Sequence, residues 1–386
     1  MSSQTPVPAG FRGVAGNIGI KDPKDDFFAV VSEVPANVSA VFTRSRFAGP
    51  SVLLSRRTAA DGRARGVTVI ARNANVATGR IGDDHARELQ EGVARAAGVA
   101  PEEILVASTG VIGRPYPMEK VRAHLEGLPA EFPPADLDRA AGAMMTTDTH
   151  PKAASARVGG ATVTGIAKGV GMIEPNMATM LAWFFTDAEL EQPVLDEVFR
   201  RVVDRTFNAL SIDTDTSTSD SAAVFANGLA GPVDTAAFEA ALYEVALKLV
   251  RMIASDGEGA GKLLEVRVTG ARDDAQAKVV AKAVVNSPLV KTAVHGADPN
   301  WGRVAMAVGK CEEETDILPE NVRIVFGDVE TYPAEPSDEV LERASQHMKG
   351  DEVLIGVDLG IGGGEFTAYG CDLTEGYIRI NADYTT

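Results

Sequence analysis

The chain has only two cysteines, Cys311 and Cys371, in 386 residues. So few thiols exclude a disulfide framework and a zinc site built from cysteine alone, and a reducing compartment is expected. Basic charge is also short. Against 54 acidic residues stand 37 lysines and arginines, a net charge of −17, and a field of that sign repels phosphate backbones and anionic headgroups. Neither a nucleic-acid nor a membrane-surface partner is expected. No uninterrupted apolar run approaches the roughly 18 residues of a membrane-crossing helix. The amino-terminal stretch has neither a basic segment nor an apolar one of export type, so a cytoplasmic protein is expected. Histidine is scarce. His85, His124, His150, His295 and His347 show no paired metal spacing and no Gly-x-Ser-x-Gly elbow to complete a triad. His150 and His295 lie in polar strings where a ligand contact and a hydrogen-bonded structural role are both open.

What is present suits a globular fold. The residues are 45% hydrophobic and 24% charged, and 386 residues fit two domains or one large intertwined one. Short apolar runs punctuated by Gly and Pro predict strands over 27–34, 38–43, 67–71 and 104–108, with helices over 83–97 and 135–145. Residues 157–188 read as β-rich, with apolar runs at 161–166 and 180–185. Long helices follow, over 192–210 and from Thr235, where Phe238, Leu242, Val245, Leu249 and Met252 draw one apolar stripe and Thr235 is the expected cap. A strand over 263–269 and helices over 273–285 and 301–308 come next, then strands near 322–326, 353–357 and 377–381. Strands and helices cluster instead of alternating, which predicts an α+β fold with helix-covered sheets, and composition shifts near residue 188.

Three suggestive strings fail. Gly257-Glu-Gly-Ala-Gly-Lys262 has Asp256 and Leu263 where a phosphate loop needs Gly and Ser or Thr. Asp213 and Asp215 have calcium-loop spacing without the required Gly and closing Glu, and read as a polar loop. Gly360-Ile-Gly-Gly-Gly364 joins two strands and reads as a hairpin turn.

The segment 168–188 carries more. Gly169-Val-Gly171 and Pro175 lead to the small Ala178 and then to Thr179 at the start of an apolar run. A Thr opening a strand is a β-former in a favourable place. The same arrangement also has the anatomy of an N-terminal nucleophile, in which the Thr hydroxyl attacks the preceding carbonyl and hydrolysis frees a chain beginning with that Thr. The freed α-amine, with an ordinary pKa of ~7.7–8.0, then serves as base without any histidine.

The motifs Ala107-Ser-Thr-Gly-Val-Ile-Gly113, Met145-Thr-Thr-Asp-Thr149, Pro175-Asn-Met-Ala-Thr179, Ser255-Asp-Gly-Glu-Gly-Ala260, Asn286-Ser-Pro-Leu-Val-Lys-Thr-Ala293 and Asp298-Pro-Asn-Trp-Gly-Arg303 stand in one order. Together they resemble the ornithine acetyltransferase (glutamate N-acetyltransferase, ArgJ) family from about residue 36 to the carboxyl end. Phe42-Thr-Arg-Ser-Arg-Phe-Ala-Gly-Pro50 and Ala71-Arg-Asn-Ala-Asn-Val-Ala-Thr-Gly79 look most like members encoded with clavulanic acid biosynthesis. Arginine-pathway members usually carry an Asn-Ser-Gly-Asn-Ala-Asn run over 70–75. Thr214 stands where many members have Gly.

The resemblance implies an ArgJ-like and DmpA-like N-terminal-nucleophile fold, with mixed sheets packed by helices. It implies self-cleavage between Ala178 and Thr179 into an α chain (1–178) and a β chain (179–386), paired as an α2β2 heterotetramer. It further implies transfer of the acetyl group of N-acetylornithine to glutamate through an acetyl ester on Thr179. Thr109 (hydroxyl) and Gly110 (backbone N–H) would stabilise the oxyanion, and Thr146, Lys168, Thr179, Glu258, Asn381 and Thr386 would contact substrate. No metal or organic cofactor is implied. Acetyl-CoA as a further donor, a related aminopeptidase or amidase in which water takes the acyl group, and a non-catalytic binding protein remain alternatives.

Overall fold

The computed structural model describes residues 4–20, 23–174 and 180–383. Ala178, Thr179 and Thr386 lie outside the described residues. In chain order the strands are β1 (Phe11–Gly16), β2 (Phe27–Ser32), β3 (Asn37–Phe42), β4 (Gly66–Ile70), β5 (Ile104–Ser108), β6 (Lys152–Val158) and β7 (Ala161–Lys168). After residues 175–179 come β8 (Leu181–Glu189), β9 (Ser221–Pro232), β10 (Leu263–Ala271), β11 (Arg323–Phe326), β12 (Val329–Tyr332), β13 (Glu352–Asp358) and β14 (Gly364–Cys371).

They form three mixed sheets, ordered β1-β2-β4-β5, β3-β9-β8-β7-β6 and β12-β11-β13-β10-β14. Each combines antiparallel pairs with one parallel pair: β4 with β5, β8 with β9, and β10 with β13.

The pleat of β8 explains the layering. Successive side chains of a strand face opposite ways. Leu181, Trp183 and Phe185 join the core shared with Phe28, Val69 and Leu105 of the first sheet. Ala182 and Phe184 join the core built on the helices Gln192–Arg205 and Thr235–Ser255. Both faces of β8 are therefore apolar, and full burial of Trp183, Phe184 and Phe185 contributes about 2–3 kcal/mol each. Helices Gly79–Ala97 and Met118–Glu126 cover the far face of the first sheet. The result is helix, sheet, sheet, helix, with the third sheet beyond the second helical layer.

Several expectations need correction. β8 runs unbroken through residue 188, so no boundary falls there. The middle sheet instead interleaves β3, β6 and β7 with β8 and β9, combining strands from both sides of residues 175–179. Asp234, not Thr235, caps the long helix, accepting from Ala237 N–H at 2.8 Å while its own backbone is extended. The helix expected over 192–210 stops at Arg205 and gives way to a short 3-10 turn. The glycines at 360–364 are no hairpin, because β10 lies between β13 and β14. The loop crosses the end of β10, where Ile361 and Gly362 N–H both donate to Gly270 O. Residues 377–381 belong to a helix, Glu375–Asp383, and not to a strand.

Candidate active site

A cavity of about 270 Å³ opens where β7 ends and β8 begins. Thr109, Gly110, Thr146, Lys168, Glu258 and Asn381, expected at one site, all line it. Met180, which follows Thr179 in the chain, lines it too.

Thr109 and Gly110 form the turn that leaves β5. Thr109 N–H donates to Ile70 O at 3.0 Å and Val111 N–H to Arg72 O at 3.4 Å, strapping the turn to residues 70–72. Gly110 has φ +127, and a Cβ there would lie 2.3 Å from Arg72 C and 2.6 Å from Asn73 N. Only glycine fits a backbone approach that close. Among the described residues nothing accepts from the Gly110 N–H. A backbone donor in that state beside a hydroxyl is the chemistry an oxyanion requires.

Lys168 closes β7, paired in register with Leu181 of β8, and is 8% exposed. Its ammonium lies 4.0 Å from Asp148 Oδ2. Asp148 also accepts from Gly169 N–H at 2.8 Å and from the wholly buried Lys152 Nζ at 2.9 Å. Burial pushes the Asp148 carboxyl up, but the Lys168 and Lys152 ammoniums and these hydrogen bonds outweigh it and hold the pKa at about 2. Lys152 Nζ also donates to Asp256 Oδ2 at 2.6 Å, so one buried cation bridges two carboxylates.

Glu258 reaches the cavity from the loop after the helix Thr235–Ser255. Its N–H donates to Val170 O at 2.8 Å, and a Cβ on Gly171 would strike its carboxylate at 2.5 Å. Thr147 Oγ1 donates to Glu258 Oε1 at 2.9 Å, and Asn381 Nδ2 to Oε2 at 2.8 Å. Helical spacing sets Tyr377 and Asn381 one turn apart, and both line the cavity. The Tyr377 hydroxyl donates to Asp213 Oδ2 at 3.3 Å; burial, and then the Asp213 charge, push its pKa up.

Asp213 and Asp220 were not assigned from sequence. Asp213 accepts from Met172 N–H and Ile173 N–H, each at 2.7 Å, and so pins the chain just upstream of residues 175–179. Asp220 is buried on the cavity wall beside Met180, whose carbonyl accepts from Ser221 N–H. Its Oδ2 has no partner among the described residues. Burial drives its pKa well above the ordinary carboxylate range, more than Ser217 and Lys168 lower it.

His150 and His295 do not line the cavity: His150 Nδ1 lies 2.9 Å from Thr149 Oγ1 and His295 Nδ1 3.0 Å from Asp372 Oδ2, which favours the structural role. Among the described residues no cluster of His, Cys, Asp and Glu is arranged to hold a metal, and no helix is long and apolar enough to cross a membrane.

The ArgJ family model matches residues 12–386. The chain belongs to the ArgJ family. Among curated relatives, "Glutamate N-acetyltransferase Oat2" of Streptomyces clavuligerus is 62% identical over 100% of both chains. "Arginine biosynthesis bifunctional protein ArgJ 2" of Nostoc is 56% identical over 98% of each. Among solved structures, the ArgJ protein of Bacillus halodurans is 42% identical with a TM-score of 0.48, covering 51% of this chain and 96% of that one. The fold of this ArgJ chain is α+β, with mixed sheets packed by helices.

Proposed function

We propose that this chain is a self-processing glutamate N-acetyltransferase that moves the acetyl group of N2-acetyl-L-ornithine to L-glutamate. The observation that carries the reading is the convergence of Thr109, Gly110, Lys168 and Glu258 on one cavity beside Met180. Membership of the ArgJ family and the 62% identical glutamate N-acetyltransferase support it.

The precursor is cut between Ala178 and Thr179, leaving chains 1–178 and 179–386 associated as α2β2 in the cytoplasm. The α-amine of Thr179 takes the hydroxyl proton as the oxygen bonds to the acetyl carbonyl carbon. Thr109 Oγ1 and Gly110 N–H stabilise the resulting oxyanion. Collapse breaks the C–N bond, the amine leaves with the proton, and acetyl remains as an ester on Thr179. The amine of glutamate then attacks the ester and regenerates the hydroxyl, completing a ping-pong cycle. Lys168 pairs the α-carboxylate common to donor and acceptor, while Glu258 faces the ornithine side-chain ammonium. Thr146, Asn381 and Thr386 complete the substrate contacts.

The name "bifunctional", carried by the Nostoc relative, favours a second activity with acetyl-CoA as donor. The 42–50 and 71–79 motifs favour a clavulanic acid setting over the arginine pathway.

A denaturing gel and a transfer assay test the reading. Wild type should run as two fragments, Thr179→Ala as one intact band without transferase activity. Uncut wild type that transfers no acetyl group would refute it, and release of free acetate faster than acetylglutamate would turn it toward an amidase.

A further inference from the structure

The loop over 147–149 is tied residue by residue to both charged ends of the cavity. Thr147 Oγ1 donates to Glu258 Oε1 at 2.9 Å. Asp148 faces the Lys168 ammonium at 4.0 Å and accepts from Gly169 N–H at 2.8 Å. Thr149 N–H donates to Asp256 Oδ2 at 3.1 Å, its hydroxyl donates to Oδ1, and Asp256 lies two residues before Glu258. Beneath the loop, Lys152 joins Asp148 at 2.9 Å to Asp256 at 2.6 Å. Releasing either carboxylate would leave a buried ammonium undercompensated, so this brace strongly resists stretching. The cation on β7 and the anion beyond the helix Thr235–Ser255 belong to distant parts of the chain, yet one short segment joins them.

We propose that residues 147–149, braced by Lys152, set the span between the Lys168 ammonium and the Glu258 carboxylate and thereby select donors by chain length. The substrate class is the N2-acetylated α,ω-diamino acids, with the α-carboxylate at Lys168 and the terminal ammonium at Glu258. This rests on the donor orientation given under Proposed function. Thr147, Asp148, Thr149 and Lys152 are positioning residues, acting through Lys168 and Glu258. In a rigid pocket one methylene more or less is worth about 10- to 200-fold in kcat/KM. A loosened span should shrink that penalty.

The test compares N2-acetyl derivatives of 2,4-diaminobutyrate, ornithine and lysine, with glutamate as acceptor. Wild type should discriminate between neighbouring chain lengths by tenfold or more. Thr147→Val and Thr149→Val should each compress that ratio about tenfold, and Thr147→Ser, which keeps the hydroxyl, should restore it. A ratio taken within one variant is independent of the fraction that folds. Equal preference for all three donors in wild type, or valine variants that slow every donor by one common factor, would overturn the ruler alone. A wild type that accepts acetyl from no diamino acid would overturn the transferase reading, and the ruler with it.

Discussion

Gly110→Ala is the sharpest test of the oxyanion assignment. The added methyl would lie 2.3 Å from Arg72 C, 2.4 Å from Arg72 Cα and 2.6 Å from Asn73 N, where ordinary contact begins at 3.4 Å. These are backbone atoms, so no rotamer change relieves the overlap, and one strand of the turn must retreat by about 1 Å. Displacement on that scale costs about 100-fold in a preorganised site. Loss of one oxyanion donor costs ~100- to 1,000-fold in kcat, about 3–4 kcal/mol. Alanine at φ +127 adds strain of about 1–3 kcal/mol to the folded state, a separate quantity read from melting. The assay is kcat at saturating N-acetylornithine and glutamate on fully cleaved protein, with Tm measured alongside. The expected result is a fall of at least 100-fold in kcat with KM little changed, since the donor acts on the transition state. A kcat within threefold of wild type together with a lowered Tm would refute the donor role while leaving the steric argument intact. A kcat within threefold of wild type together with an unchanged Tm would refute both.

Two further outcomes are expected. Because burial raises the Asp220 pKa, the folded state keeps a proton that the unfolded chain loses as pH rises above the ordinary carboxylate value. Wild-type stability should fall by about 1.4 kcal/mol per pH unit in the window between the unfolded and folded pKa values. Asp220→Asn should remove that component, seen as a flatter plot of unfolding free energy against pH; an unaltered slope would count against it. Asp213→Ala frees Met172 and Ile173 N–H from charge-assisted bonds worth about 1.5–3 kcal/mol each. Misplacing the residues before the proposed scissile bond should slow the proposed self-cleavage at least tenfold, and a time course on denaturing gels that matched wild type would contradict this.

Much of the layered core could be read from the sequence because its signals are local. The stripe from Phe238 to Met252 and the apolar run after Met180 announce burial whatever surrounds them. The segment 377–381 misled because Ile378-Arg-Ile380 alternates with period two and is rich in β-branched residues. An exposed segment outside any sheet satisfies its backbone internally as a helix. The crossing at 360–364 was illegible for a related reason: nothing in 353–371 says that β10, about ninety residues earlier, is inserted between β13 and β14. In the site, the residues named by family resemblance converge wherever the structure describes them. Asp148 stands within the 145–149 motif with nothing local to mark its role, and Asp213 sits in a string that lacks the residues of a calcium loop. Lys152 acquires its bridging role only because the fold brings Asp256, 104 residues away, beside it, and Asp220 acquires its role only from burial on the cavity wall.

The interleaved middle sheet bears on the life history of the molecule. With β8 and β9 flanked by β3 and β7, a chain severed between Ala178 and Thr179 keeps its two pieces knitted together by hydrogen bonds on either side. Before the cut, closing that sheet is an intramolecular event. After it, the same strands must find each other at the concentration of two separate polypeptides. Under the proposed cleavage such a protein would have in effect one opportunity to fold, and the bond whose loss creates its nucleophile would also be the tether that allowed it to assemble.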